Sequence, residues 1–315
     1  MNILLTGATG FVGRRLLDRL SQRSAYNLTV AVRSRLPGIS AHSVLIGSLD
    51  STTDWFSAVE NKEVVIHAAA RAHVMKEEVS DPLAEYRRIN VEGTLNLAAQ
   101  AAAAGVRRFV YISSVKVNGE QTELNRPFNE NDAADPHDQY GLSKNEAEEG
   151  LRRISEDQGM ELVIVRPPLV YGPGVKGNFA TIVGLVAKGV PLPLGSVNNK
   201  RSLVSLDNLV DFIVTCMDHP AAANQLFFVS DGQDISTTEL LLSVGQAMGK
   251  PARLIPVPAG MLMFGATLLG KKAVAQRLLG SLQVDISKAR DVLGWVPPLS
   301  VKEGLRRCFV TESSW

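Results

Sequence analysis

Thr6-Gly7-Ala8-Thr9-Gly10-Phe11-Val12-Gly13 is the stretch that decides the fold of this chain of 315 residues. The apolar run Ile3–Thr6 leads into it and predicts a strand, and the pattern over Phe11–Leu20 predicts a helix. Glycines between a strand and a helix permit a tight turn, and they let backbone N–H groups approach a pyrophosphate at the helix N-terminus. The stretch therefore predicts a dinucleotide-binding turn, with G-x-x-G-x-x-G spacing in place of the commoner G-x-G-x-x-G.

Short apolar runs alternate with longer helical patterns through the first half of the chain. This alternation predicts βαβ units and a parallel sheet, and continuous apolar strands are expected where helices cover both faces of the sheet. The further predicted strands are Leu28–Val32, Val44–Ile46, Val64–His67, Phe109–Ser113 and Leu162–Arg166, and the predicted helices between them include Leu95–Ala104 and Leu142–Gln158.

The pattern changes after Arg166, where Pro167-Pro168 and Gly172-Pro173-Gly174 interrupt it. We therefore predict an α/β fold, a doubly wound parallel sheet (Rossmann fold), with a smaller mixed α/β C-terminal substrate lobe. The predicted boundaries are 1–170 for the nucleotide-binding domain and 171–315 for the lobe, with some segments returning to the first domain.

Composition excludes several classes of protein. The chain has 33 Lys and Arg against 32 Asp and Glu, so no general field favours nucleic acid or an anionic membrane. The apolar stretch 259–270 is shorter than the roughly 20 residues that span a bilayer, and it predicts a buried or interfacial helix. Two cysteines cannot form a disulfide framework, and Met1–Thr6 has no basic run, so we expect a cytoplasmic protein. No metal site is expected.

Tyr140 and Lys144 are four residues apart, so they share one face of a helix. An ammonium group beside a phenol favours the phenolate and lowers a pKa that is normally near 10. Such a tyrosine can act as the base toward a hydroxyl and as the acid toward a ketone. Ser113-Ser114 closes a predicted strand, at the end where ligands bind in doubly wound folds, and supplies a hydroxyl for the same oxygen.

Arg33 follows the second predicted strand. An acidic residue at that point bonds the 2′-hydroxyl of NAD, whereas an arginine accommodates the 2′-phosphate of NADP. Arg33 therefore favours NADP. The alternative is that the arginine is merely solvated, and a basic residue at this position still tolerates NAD.

Taken together, these residues resemble the extended short-chain dehydrogenase/reductase family, in its nucleotide-sugar epimerase/dehydratase branch. The resemblance covers nearly the whole chain. Beyond the glycine turn and the Tyr-x-x-x-Lys pair, the matching segments are Val65–Ala70, Asn90–Thr94, Val117–Gly119, Arg166–Gly174 and Asp285–Pro297.

The resemblance implies roles for individual residues. Tyr140 would exchange the proton at a sugar hydroxyl or ketone, Lys144 would bind the cofactor ribose, and Ser114 would hydrogen-bond the reacting oxygen. The implied contacts to NAD or NADP are Gly7, Gly10, Phe11, Val12, Gly13, Arg33, Ser48, Leu49, Ala68, Ala69, Ala70, Tyr140, Lys144 and Pro167. The implied substrate contacts are Ser114, Lys116, Asn118, Asn178, Arg201 and Arg277.

The implied diphosphate contacts are Asn178 and Arg201, with Arg277 a weaker candidate. Lys116 and Asn118 could equally be structural. The resemblance also implies a homodimer, formed through the helices at Leu95–Ala104 and Tyr140–Gln158.

The expected activity is NAD(P)-dependent chemistry at C4 of a UDP-sugar through a 4-keto species. A 4-epimerase and a 4-keto reductase share such a site; Arg33 favours the reductase, and the general family pattern favours the epimerase. A 4,6-dehydratase is disfavoured because Val115 and Lys116 stand where those enzymes carry Asp-Glu. The alternatives are a reductase of a small non-nucleotide carbonyl compound and a non-catalytic NADP-sensing protein.

Overall fold

The computed structural model describes residues 1–34, 41–72, 81–175 and 177–309, with the side chain of Asn178 left out. Within these ranges the strands are β1 (Asn2–Thr6), β2 (Asn27–Val32), β3 (His42–Leu45), β4 (Val64–His67), β5 (Arg108–Ile112), β6 (Glu161–Arg166), β7 (Leu169–Tyr171), β8 (Leu203–Ser205) and β9 (Gln225–Phe228).

The α-helices of the same ranges are α1 (Phe11–Ser21), α2 (Phe56–Val59), α3 (Pro82–Tyr86), α4 (Gly93–Ala103), α5 (Gln139–Gln158), α6 (Asn178–Ala187), α7 (Leu206–Asp218), α8 (Thr237–Ala247), α9 (Ala259–Leu268), α10 (Lys272–Leu279), α11 (Ser287–Leu293) and α12 (Val301–Arg307). A π-helical segment, Arg87–Glu92, joins α3 to α4, and a 3₁₀ turn, Val115–Val117, follows β5.

Seven strands of the described chain form one parallel sheet in the order β3-β2-β1-β4-β5-β6-β9. Alternate residues of each strand point to opposite faces. Ile3 and Leu5 therefore pack on the face covered by α1 and α7, whereas Leu4 packs on the face covered by α4 and α5. Both faces are buried, which explains why the strands are continuous apolar runs. The predicted doubly wound α/β fold is confirmed.

The C-terminal half contributes to this sheet as well as to the lobe. β9 pairs with β6 in register from Val163 opposite Gln225 to Arg166 opposite Phe228. The short strands β7 and β8 pair with each other outside the main sheet. The division at residue 170 stays a prediction, because the chain crosses between the two regions more than once.

The apolar stretch 259–270 forms α9, and none of the helix residues is buried by the described chain. The buried alternative left open by the sequence is therefore wrong. Among the described residues, no helix combines the length and the hydropathy needed to cross a membrane.

Candidate active site

The glycine turn after β1 packs directly against the chain that leaves β4. Gly7 has φ +75°, and a Cβ there would lie 2.6 Å from the Ala69 nitrogen. A Cβ on Gly13 would overlap the Gly7 carbonyl group, so α1 approaches the turn as closely as backbone allows. α1 begins after Gly10, which supplies no side-chain cap to the first N–H groups. Those donors and the close backbone form a cradle that fits a pyrophosphate, as a dinucleotide cofactor would present.

His67, at the end of β4, fixes the position of the alanines that follow it. Its Nδ1 lies 2.7 Å from the Thr6 Oγ1, and its Nε2 lies 2.9 Å from the Thr94 Oγ1. The imidazole is completely buried, and this desolvation, helped by the charge of Lys144, lowers its pKa to about 3. A neutral ring therefore holds β1, β4 and α4 together, and Ala69 N–H completes the cluster by donating to Thr6 at 3.3 Å.

Asn90 connects the same loop to α5. The Arg71 N–H donates to its Oδ1 at 2.8 Å, and its Nδ2 donates to the Arg71 carbonyl at 3.1 Å and to the Ser143 hydroxyl at 2.9 Å. Ser143 in turn donates to the Tyr140 carbonyl at 2.8 Å. The loop after β4 is thereby held beside the helix that carries Tyr140.

The helix that carries Tyr140, α5, begins against the 3₁₀ turn that Ser114 caps. The Ser114 hydroxyl accepts from the Lys116 N–H at 3.3 Å. A Cβ on Gly141 would lie 2.6 Å from the Lys116 carbonyl oxygen, so the first turn of α5 touches that 3₁₀ turn. Asp138 caps α5 by accepting from Gly141 N–H at 2.6 Å, and it also forms an ion pair with Lys116.

Lys144 lies beneath these residues, with only 2% of its surface exposed. Its Nζ donates to the Ile112 carbonyl at 2.8 Å and lies 4.5 Å from the centre of the Tyr111 ring and 5.9 Å from that of Tyr140. Burial lowers the pKa of this ammonium to about 7, and the nearby Glu148 carboxylate opposes that change. The charge of Lys144 therefore changes close to neutral pH.

The expected lowering of the Tyr140 pKa is not what the structure shows. Burial raises the pKa of the Tyr140 phenol well above its usual value, and the charge of Asp138 adds to this effect. Lys144 directs its ammonium to the Ile112 carbonyl rather than to the phenol. Desolvation of the phenolate therefore dominates, and Tyr140 is a neutral proton donor in this state.

A buried ionic network behind Lys144 was not anticipated. Glu148, 1% exposed, accepts from Arg166 at 2.9 and 2.5 Å and from the Ser113 hydroxyl at 2.5 Å. Arg166 also donates to the Asn118 Oδ1 at 2.8 Å. The only signal in the sequence is Glu148 four residues after Lys144, which places both on one face of α5.

Two of the predicted substrate residues take part in structural contacts. Asn118 is 3% exposed, and its amide also donates to the Asp132 carbonyl at 3.3 Å. Lys116 pairs with Asp138 and, at 3.4 Å, with Glu120. These contacts support the structural alternative for Asn118, and a substrate contact by Lys116 would have to compete with two carboxylates.

The remaining predicted cofactor residues lie beyond the C-terminal ends of their strands. Arg33 follows β2 and is exposed, while Ser48 is exposed and Leu49 partly exposed after β3. Pro167 follows β6, is buried, and accepts from the Val115 N–H at 3.0 Å. All of them share the sheet edge at which doubly wound folds bind nucleotides.

Arg201 lies apart from these residues, against the end of α10. Its Nη1 donates to the carbonyl groups of Arg277 and Gly280, at 2.9 and 3.0 Å. Burial lowers the pKa of the guanidinium, and no carboxylate of the described chain forms an ion pair with it. The Arg277 side chain is exposed, so only its carbonyl takes part. Asn178 begins α6, but its side chain lies outside the described atoms.

Comparison with known proteins agrees with this geometry. Residues 3–229 match the model of the NAD dependent epimerase/dehydratase family. The chain is 50% identical to a UDP-glucose 4-epimerase of Vibrio cholerae over 97% of this chain and 94% of that protein. It is 31% identical to the N-acetyl-alpha-D-glucosaminyl-diphospho-ditrans,octacis-undecaprenol 4-epimerase of Escherichia coli O157:H7, over 99% of this chain and 95% of that protein.

A solved structure shows the same fold. The UDP-glucose 4-epimerase of Thermotoga maritima, crystallised with UDP-glucose, superimposes with a TM-score of 0.75 at 23% identity, covering 98% of this chain and 97% of that one. The chain belongs to the NAD dependent epimerase/dehydratase family, and the family resemblance inferred from its motifs is confirmed.

Proposed function

We propose that this protein is an NAD(P)-dependent oxidoreductase that acts at C4 of a UDP-sugar through a 4-keto species, as a 4-epimerase in the first instance. One observation carries the proposal: α5 begins against the turn capped by Ser114 and carries Tyr140 and Lys144, and Asn90 holds this helix beside the loop that packs on the glycine turn. The V. cholerae relative, named a UDP-glucose 4-epimerase, supports the substrate class.

The bound nicotinamide would supply the acceptor and donor of hydride at the sugar carbon. Tyr140 would hold the proton that moves to and from the oxygen on that carbon, and its raised pKa suits the step in which a ketone is protonated. Ser114 would donate a hydrogen bond to the same oxygen. Lys144, whose pKa is about 7, would bind the cofactor ribose and supply positive charge beneath the phenol.

Arg201 would bind the diphosphate of the substrate, with Asn178 and, more weakly, Arg277 beside it. A guanidinium that is largely desolvated and bonded only to carbonyl oxygens retains its charge for an anion. Arg201→Gln is expected to raise KM for the UDP-sugar by about 10- to 100-fold, with a smaller change in kcat. Arg277→Gln is the matched control, and an equal rise in KM for both variants would contradict this assignment.

NADP is proposed as the preferred cofactor because Arg33 is an exposed cation directly after β2. Equilibrium dialysis with NAD and NADP would measure the preference. Arg33→Ala is expected to weaken NADP binding about tenfold or more and to leave NAD binding nearly unchanged, since only NADP carries the 2′-phosphate. Tighter binding of NAD by the natural protein would refute the NADP preference and leave the C4 chemistry standing.

Incubation of the pure protein with UDP-hexoses, without added cofactor, tests the main proposal. Interconversion of the C4 epimers would support the epimerase, because such an enzyme retains and regenerates its cofactor. Turnover that appears only with NADPH and a 4-keto sugar nucleotide would instead support the reductase. Failure of both reactions, together with the absence of a thermal shift with UDP, would contradict the nucleotide-sugar assignment.

A sugar carried on a polyisoprenoid diphosphate is a second candidate substrate. The E. coli relative is named for such a compound, and it shares with UDP-sugars the glycosyl diphosphate that Arg201 would bind. Parallel assays with UDP-N-acetylglucosamine and with the polyisoprenoid-linked sugar in detergent would separate the two. A kcat/KM at least tenfold higher for the lipid-linked sugar would favour this candidate.

We propose further that the protein is a cytoplasmic homodimer that pairs through α4 and α5. These helices pack tightly on each other, since a Cβ on Gly150 would lie 2.6 Å from the Leu95 side chain. Sedimentation velocity at micromolar concentration would measure the mass, and a monomer at every concentration would contradict the dimer.

A further inference from the structure

The helical hairpin formed by α9 and α10 exposes an apolar surface that the described chain does not cover. Met261, Phe264 and Leu268 of α9 are 66%, 68% and 73% exposed, and Leu269 in the connection is 75% exposed. A helix that is apolar around its whole circumference normally lies in a protein core or in lipid. Large contiguous apolar surfaces on a folded chain mark interaction sites.

The charge of the surrounding segment has one sign. Between Glu239 and Asp285 the sequence contains no acidic residue. The cations in this interval are all exposed, and none forms an ion pair with a carboxylate of the described chain: Lys250, Arg253, Lys271, Lys272 and Arg277. The whole chain has a net charge of +1, so this segment is far more positive than the chain as a whole.

We propose that this hairpin, residues 259–279, is a docking surface for an anionic phospholipid bilayer. The apolar side chains of α9 would enter the boundary between headgroups and acyl chains, and Lys271 and Lys272 at the end of the helix would contact lipid phosphates. Buried apolar area and attraction to anionic lipid are the two contributions that drive binding at a bilayer surface, and the exposed side chains of α9 and the unpaired lysines supply one each. The helix lies on the bilayer surface and does not cross it.

A second copy of the chain fits this surface less well. A twofold interface places the same patch of both subunits in contact, so the unpaired cations of one hairpin would face those of the other. Like charges brought together in this way oppose association. An anionic bilayer satisfies both features of the surface at once.

The surface adjoins the proposed diphosphate site. α10 ends at Leu279, and the carbonyl groups of Arg277 and Gly280 accept from Arg201. Docking through the hairpin would therefore place Arg201 close to the bilayer. The docking itself depends only on the exposed surface and not on the reaction catalysed.

Flotation of the full-length protein with lipid vesicles tests the proposal. The protein is expected to float with vesicles of phosphatidylcholine and phosphatidylglycerol, and to float much less with phosphatidylcholine alone or in 0.5 M NaCl. Each lysine near an anionic surface contributes about a fivefold factor to partitioning, so Lys271→Glu/Lys272→Glu should lower binding at least roughly 30-fold. Phe264→Ser/Leu268→Ser should abolish it.

Matched controls change similar side chains outside the hairpin. Phe56, 70% exposed on α2, provides Phe56→Ser, and Lys62→Glu/Lys302→Glu provides the same charge change. Both controls should float like the natural protein, and all variants should keep its melting temperature and its turnover of water-soluble substrate.

Absence of flotation, or an equal loss in the controls, would overturn the proposal. So would a natural protein that ignores vesicles but loses half its sedimenting mass in Phe264→Ser/Leu268→Ser, since a second copy would then cover the hairpin.

Discussion

At the scale of single residues, the site depends on how burial sets protonation. Lys144 and Tyr140 lie on one face of α5, and desolvation moves the two pKa values in opposite directions, to about 7 for the lysine and upward for the tyrosine. Each shift favours the neutral form, as burial always does. Tyr140 is therefore a neutral phenol, and Lys144 changes between its charged and neutral forms near neutral pH.

Tyr140→Phe is expected to lower kcat by about 10²- to 10⁴-fold, because the variant lacks the proton that the phenol exchanges with substrate. Stability should hardly change, since the Tyr140 hydroxyl has no hydrogen-bond partner among the described residues. Steady-state kinetics and thermal unfolding measure both effects. Tyr26→Phe, which removes a surface hydroxyl bonded to Arg23, is the control that should retain full turnover. Full turnover by Tyr140→Phe would remove Tyr140 from the mechanism.

At the scale of elements, the cradle depends on how closely backbones approach. β1, the glycine turn and α1 are adjacent in sequence, but the backbone that approaches Gly7 most closely is that of Ala68 and Ala69 after β4. His67 maintains this contact by linking β1 to α4 through two threonines.

A comparison of Gly7→Ala with Gly174→Ala separates the cost of disturbing this contact from the cost of a left-handed backbone at a residue that is not glycine. Gly7 and Gly174 have nearly the same φ, +75° and +76°, but only Gly7 has backbone atoms where a Cβ would lie. Gly174→Ala should therefore cost about 1 kcal/mol of unfolding free energy. Gly7→Ala should cost at least about 3 kcal/mol and weaken cofactor binding, because the Ala68–Ala69 backbone must move. Urea unfolding measures the difference, and equal costs would show that the close approach is unimportant.

The buried His67 leads us to expect that the free energy of unfolding falls at acid pH. Its pKa is about 3 in the folded protein and near 6.5 in the unfolded chain, so the unfolded chain binds the proton more readily between these values. The resulting stability is complete above pH 6.5 and falls as the pH is lowered toward 3. At pH 5 the loss from this group is about 2 kcal/mol.

Urea unfolding at pH 7 and pH 5 would measure that loss. His67→Gln keeps a neutral hydrogen-bonding group and should show a loss smaller by about 2 kcal/mol between the two pH values. An identical pH dependence in both proteins would mean that another group governs acid sensitivity.

At the scale of the whole molecule, buried polar groups join segments that are far apart in the sequence of the C-terminal half. Asp231, 6% exposed, accepts from the Tyr171 hydroxyl at 2.6 Å, from Ser205 N–H at 2.8 Å and from the Asn208 amide at 2.6 Å. Asn208 also exchanges hydrogen bonds with the backbone of Leu299. The Asp231 carboxylate therefore links β7, β8 and α7, and Asn208 extends the network to the chain entering α12.

Asp231→Ala should lower the unfolding free energy by about 3–5 kcal/mol, because three buried donors lose their acceptor. Asp218→Ala removes an exposed carboxylate at the end of α7 and should change it by less than about 0.5 kcal/mol. Denaturant unfolding compares the two variants. A small effect of Asp231→Ala would show that the lobe is held by apolar packing alone.

Local spacing was enough to predict much of this molecule. The glycine turn, the alternation of strands and helices, and the pair at Tyr140 and Lys144 are all features of neighbouring residues, and the fold predicted from them was confirmed. The bounds of β4 were predicted without error, and those of β5 and β6 within one residue at each end. β9 was not predicted, because a short apolar run far along the chain carries no sign of which strand it will pair with.

Only the tertiary structure decided the features that depend on distance through space. The Glu148–Arg166 ion pair joins α5 to β6, and no spacing in the sequence reveals it. The pKa of Tyr140 rises because the fold partly desolvates the phenol and places Asp138 near it, and these effects outweigh a lysine four residues away. The sequence by itself determined that 259–270 is an apolar helix, but whether other residues cover that helix depends on where the rest of the chain packs. The fold leaves this helix exposed, because no other part of the described chain packs over its exposed side chains. Burying an apolar surface is favourable wherever a partner surface meets it, and local sequence does not say where that happens.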